Sequence, residues 1–128
     1  MPPHQPYRIA LRRELSAEEQ ALLRHILERE APKRVQEIAS LKVIARCGCG
    51  KCPTVIFGCS IESEPRPAMP FTEVANYMGR NAEGVLVGVA LLEREGHLSE
   101  LEAWSPEGDD VTSWPETFAL VRIDDERA

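Results

Sequence analysis

The sequence predicts an α+β fold, with one or two N-terminal helices packed on an antiparallel β-sheet meander of four or more strands. Three observations carry this. Ser16 opens a capped amphipathic helix, the apolar period changes from about 3.6 to 2 near Leu41, and two alternating stretches flank the turn at Glu95 and Gly96. At 128 residues the chain is read as a single domain spanning 1–128, large enough to bury a core. Residues 1–14 precede the first helix signal and are read as an N-terminal arm.

The helix begins in "RELSAEEQALLRHILERE". Ser16 is placed to cap, and Glu19 follows three residues later, able to reach back to the cap's own N–H. Leu22, Leu23, Ile26 and Leu27 then form an apolar stripe, with His25 on the polar side. Pro32 disfavours helical geometry at Ala31 and ends the element. "PKRVQEIAS" reads as a second short helix with Val35 and Ile38 on one face.

Leu41, Val43, Ala45 and Cys47 alternate with polar residues, and Val55, Phe57, Cys59 and Ile61 do the same after the cysteine stretch. These are two strands of a hairpin, expected to pair Val43 with Phe57 and Ala45 with Val55. Residues 62–84 contain three prolines and no sustained period, so they read as a long loop with at most a helical turn near Thr72 to Met78. "VLVGVALLE" is apolar on both parities, as in a central strand, and "HLSELEAWS" returns beside it. "TFALVRI" adds a strand or lies across the sheet.

Hydrophobic residues at 43% and charged residues at 28% are ordinary for a globular protein. A net charge of -6 argues against general affinity for nucleic-acid phosphates. The apolar run Gly84 to Leu92 is far short of the roughly 20 residues that cross a bilayer, and the first residues lack the apolar core of a signal peptide. A cytoplasmic setting, with thiols reduced, is expected.

Chemistry concentrates in "RCGCGKCPTV", residues 46–55. Cys59 lies roughly 20 Å along the strand from Cys47 at about 3.3 Å per residue, so it is set apart as a core thiol. Cys47, Cys49 and Cys52 remain at the hairpin tip. The plainest reading is a turn that uses Gly48 and Gly50. The sharpest alternative is a Zn2+ site in which Cys47, Cys49 and Cys52 need a fourth ligand. His4 and His25 are poorly placed, whereas a simple meander brings the turn at Glu95 and Gly96 to the cysteine end and makes His97 that ligand. "CGKC" is also a redox-type pair, but strand residues follow it where a thioredoxin-like site opens a helix. A cysteine nucleophile would need His97 and a third, orienting group.

Other constellations read as structure. "GRNAEG" has phosphate-loop spacing but Val85 and Leu86 where Lys and Ser or Thr belong. Glu100 and Glu102 share a face that is expected to be solvated. "PEGDD" lacks calcium-loop spacing. Trp104 and Trp114 read as anchors of the C-terminal segment, or as partner contacts.

"RRELSAEEQALLRHIL" resembles the Arg, any residue, Leu, Ser or Thr, Glu-pair helix start of small uncharacterised bacterial proteins grouped as a domain of unknown function. "GHLSELEAW" resembles a hairpin strand in the same proteins. "RCGCGKCPTV" is similar to a Cys-rich hairpin in other such proteins, which usually lack the residue at Lys51. These motifs cover about a third of the chain. The resemblance implies a bacterial cytoplasmic α+β domain, carries no activity or catalytic residue, and extends by class to immunity-like proteins that neutralise toxins.

The expectation for function is a non-enzymatic protein-binding or accessory module with a protein partner, no nucleic acid, no membrane and no required cofactor. The alternative is a zinc-stabilised or thiol-redox protein using the hairpin tip.

Overall fold

The structure, a computed structural model, describes residues 8–123. Its strands are β1 (Arg8–Glu14), β2 (Lys42–Cys47), β3 (Val55–Gly58), β4 (Thr72–Arg80), β5 (Leu86–Arg94), β6 (His97–Trp104) and β7 (Val121–Arg122). They form one sheet in the order β1-β2-β3-β6-β5-β4-β7, with every pairing antiparallel. The α+β class holds: the helix α1 (Ala17–Glu30) packs on this sheet, joined by a 3-10 helix over Pro32–Ser40.

The capping box forms as its residues dictate. Ser16 Oγ accepts the Glu19 N–H at 3.1 Å, and a Glu19 carboxylate oxygen accepts the Ser16 N–H at 2.8 Å. Leu22, Leu23, Ile26 and Leu27 lose all solvent contact against Val43, Phe57, Val87, Val89 and Leu101. Each such side chain contributes about 1.5–3 kcal/mol of transfer free energy. In the 3-10 segment the i, i+3 spacing stacks Val35 and Ile38 on the core side. No described helix is long and apolar enough to cross a membrane.

Several expectations are corrected. Within the N-terminal arm, residues 8–14 form the edge strand β1, which pairs Arg8 with Cys47 and carries a bulge between Ala10 and Arg13. Residues 62–84 are not one loop: Thr72–Arg80 is extended along β5, with Ala75, Tyr77 and Gly79 turned inward. The hairpin does pair Val43 with Phe57, but a bulge then shifts the ladder so that Ala45 faces Ile56 and Arg46 faces Val55. Ile44, Ala45 and Ile56 consequently form a second, smaller cluster. Cys59 is exposed, not a core thiol, because β3 stops at Gly58. A Cβ at Gly58 would come within 2.7 Å of the Ser63 side chain, where the chain turns back.

Strand order has the largest consequence. Two antiparallel runs, β2-β3 and β4-β5-β6, are joined by pairing β3 with β6. Strand β6 therefore starts, at His97, beside the end of the sheet that holds Leu41, Gly58 and Cys59, and finishes at Trp104 near the cysteine tip. The segment beyond β6 is fixed by Val111 and Trp114, both buried in the core, and reaches β7 at the β4 edge.

Candidate metal centre

The tip of the β2-β3 hairpin is a tight turn. Gly50 donates its N–H to the Cys47 carbonyl at 3.1 Å and has a φ of 71°, a left-handed conformation that suits glycine. This turn folds Cys49 back over its successors, so that the N–H groups of Lys51 and Cys52 lie 3.4 and 3.3 Å from Cys49 Sγ. Cys52 is held by its own neighbours. Its Sγ lies 3.3 Å from Thr54 Oγ1, and its carbonyl accepts from Arg46 at 3.2 Å. Thr54 is buried and accepts the Ala103 N–H at 2.8 Å, which locks the base of the tip to β6.

The ligating atoms of Cys47, Cys49 and Cys52 all lie within 4.8 Å of one another, and the Cys49 and Cys52 sulfurs are 3.4 Å apart. All four cysteines are free thiols. Sulfurs around a tetrahedral zinc at about 2.3 Å stand roughly 3.8 Å apart, so the trio is close to the spacing an ion requires. Burial would raise the Cys49 thiol, but the N–H groups of Cys52 and Lys51 and the neighbouring thiols outweigh it and bring it down to about 7. Cys47 is pushed up to about 11, first by burial and then by hydrogen bonds with the other two thiols. The trio is thus primed at one sulfur. Arg8, opposite Cys47 in the ladder, and Arg46 and Lys51 put basic residues around it.

His97 does not join this group. It is exposed beside Leu41, Cys59 and Arg66, roughly 20 Å along β6 from the level of Ala103. The proposed set of Cys47, Cys49, Cys52 and His97 is therefore split, with the three cysteines together and the histidine at the other end of the sheet. His25 lies against Tyr77, and His4 falls outside the described residues.

No known family model, curated protein or solved structure matches the chain.

The loop after β6 occupies the place expected for His97. A cavity of about 390 Å³ is lined by Cys49 and Cys52 on one side and by Trp104, Ser105, Asp109 and Asp110 on the other. Asp109 and Asp110, the end of the "PEGDD" stretch set aside for lacking calcium-loop spacing, thus share a cavity with the cysteine turn. Only strand order places them there, and no local pattern announces them. On the opposite side of Cys52, a second cavity of about 290 Å³ is lined by Arg13, Glu18, Glu19 and Trp114.

Trp114 packs into the core, whereas Trp104 is only half-buried. Trp104 lies over Gly88 and donates its indole N–H to Asn76 Oδ1 at 3.1 Å. Glu100 and Glu102 are not a solvated face: Glu100 is buried in an ion pair with Arg94 at 2.7 Å, beneath Phe71. Burial, then the adjacent Glu100, raises Glu102 above the ordinary carboxylate range.

Proposed function

We propose that this chain is a non-enzymatic metal-binding module whose hairpin tip holds one thiophilic divalent cation of the zinc class through Cys47, Cys49 and Cys52. The observation that carries this reading is the convergence of three sulfurs within 4.8 Å, one of them receiving two backbone N–H groups. Such bonds stabilise thiolate, which is the ligating form, and soft thiolate sets select zinc-like or still softer ions. Binding would tie β2, β3 and, through Thr54, β6 into one rigid corner. A tryptophan-based contact surface has less support, since Trp114 is buried in the core and the half-buried Trp104 has its indole N–H taken by Asn76.

The test is titration of the reduced full-length protein with Co2+, followed by displacement with Zn2+. One ion per chain with sulfur-to-cobalt charge-transfer absorption is expected, lost in Cys49→Ser and unchanged in His97→Ala. No stoichiometric uptake by the reduced protein would refute the reading.

The 3.4 Å approach of Cys49 and Cys52 favours a second reading, dithiol–disulfide exchange. Cys49 thiolate would attack a partner disulfide and release one thiolate. Cys52 would then displace the other, closing Cys49–Cys52 as the partner leaves fully reduced. Retention of both thiols after incubation with an excess of a small disulfide would refute it.

A further inference from the structure

We infer that the fourth ligand of this centre is a carboxylate from the loop after β6, supplied by Asp109 or Asp110. The inference rests on the metal-binding reading above and adds to it the residue that completes the coordination.

A structural zinc site is closed by four protein ligands, and three sulfurs leave one position to fill. The ligating side chains near the tip narrow quickly. Cys59 is near His97 at the far end of the sheet, and His25 stacks edge-on against Tyr77. Glu19 shares a cavity with Cys52, but its carboxylate is committed to the Arg13 guanidinium at 2.9 and 2.8 Å and to the Ser16 N–H. Glu18 shares that cavity with Cys52 alone, on the helix side, next to Glu19 and Glu116. Asp109 and Asp110 line the cavity that meets both Cys49 and Cys52.

The loop is built to bring them there. Its start is fixed by β6 and by the turn in which Gly108, at a φ of 85°, donates to the Ser105 carbonyl at 3.4 Å. Its end is fixed by Val111, buried in the core directly after Asp110. Between these anchors the two aspartates are exposed, with no packing to break as a carboxylate approaches the ion. Ser105 Oγ, on the same wall, is buried without a hydrogen-bond partner. Three thiolates and one carboxylate around a divalent cation carry two net negative charges, which the neighbouring Lys51 and Arg46 offset.

The probe is Co2+ added to the reduced full chain, read through its visible ligand-field bands and its affinity. Asp109→Asn/Asp110→Asn should weaken Co2+ binding by about tenfold or more and alter the visible bands, while the sulfur-to-cobalt absorption keeps its three-thiolate intensity. Glu107→Gln, on the same loop and facing Arg80 at 3.8 Å, should leave both unchanged. If the double variant binds Co2+ within about twofold of the parent, the carboxylate assignment is wrong while the sulfur centre stands. A shift of the parent's visible bands on adding a small exogenous thiol also overturns it, because the fourth position would then be open. No Co2+ uptake by the parent removes the assignment together with the centre.

Discussion

Replacement of Glu19 by alanine should destabilise the fold by roughly 2–3 kcal/mol. The side chain is nearly buried and does two jobs: it returns the capping-box bond to Ser16 and accepts both arms of the Arg13 fork. Loss of a capping interaction costs about 0.5–2 kcal/mol. A charge-assisted pair contributes about 1.5–3 kcal/mol, towards the low end here because the Arg13 side chain is 38% exposed and regains water when released. At about 3–5 °C per kcal/mol for a chain of this size, the melting midpoint should fall by roughly 6–15 °C. The pH dependence has a definite sign. Burial alone would raise the Glu19 carboxyl, but the Arg13 guanidinium and the Ser16 donors outweigh it and hold it below the ordinary range. A depressed carboxyl stabilises the fold fully above its unfolded value of about 4.3 and loses that contribution as pH falls through the folded value. Urea denaturation of Glu19→Ala, Arg13→Ala and the double variant, at pH 7 and in acid, isolates the pair. A coupling energy below about 0.5 kcal/mol at pH 7, or one that grows on acidification, would refute the reasoning.

In the reduced, metal-free protein, iodoacetamide should modify Cys49 before Cys47. The Cys49 rate should climb as pH rises and level off above about 7, since thiolate is the nucleophile, while Cys47 stays slow until pH nears 11. Peptide mass spectrometry across pH decides this, and equal rates for the two at pH 7 would contradict it. Gly88→Ala should cost about 1–3 kcal/mol although alanine suits a strand better than glycine, because its Cβ would fall 2.0 Å from Trp104 Cε2. Loss of the 3.1 Å indole bond to Asn76 should also change the tryptophan fluorescence, so a variant with parental stability and emission would show that the ring is free to move.

Much of the fold was legible wherever structure is decided within a few residues. The capping box, the Leu22 to Leu27 stripe and the Val43 and Phe57 pairing all follow from spacing along one or two neighbouring elements. What stayed hidden has local physical reasons. The bulge between Val43 and Ala45 inserts a residue without any compositional mark, which moves Ala45 to the other face. Cys59 looked like the next inward position of β3, yet the strand ends at Gly58 and the chain turns back through Ser60 and Ser63. Strand β4 was masked because its inward residues, Ala75, Tyr77 and Gly79, are too mixed in size and polarity to register as an apolar alternation. The same holds for β1, whose arginines conceal an edge strand.

The missed β4 also explains why the site was only half read. Cys47, Cys49 and Cys52 belong to one turn, so their convergence follows from the hairpin alone. The residue across from them depends on parity. In an antiparallel run each strand reverses the chain, so overlooking one strand between β3 and β5 inverts the end of the sheet at which every later turn emerges. Counting without β4 sends the turn at Glu95 and Gly96 to the cysteine end and nominates His97. With β4 in place, β5 and β6 reverse, His97 goes to the far end, and the C-terminal end of β6 arrives beside Cys49 and Cys52. The next carboxylates along the chain then become the candidates for the same role. One inconspicuous nine-residue strand, far from the cysteines in sequence, thus exchanges a histidine for an aspartate as the group positioned to face them.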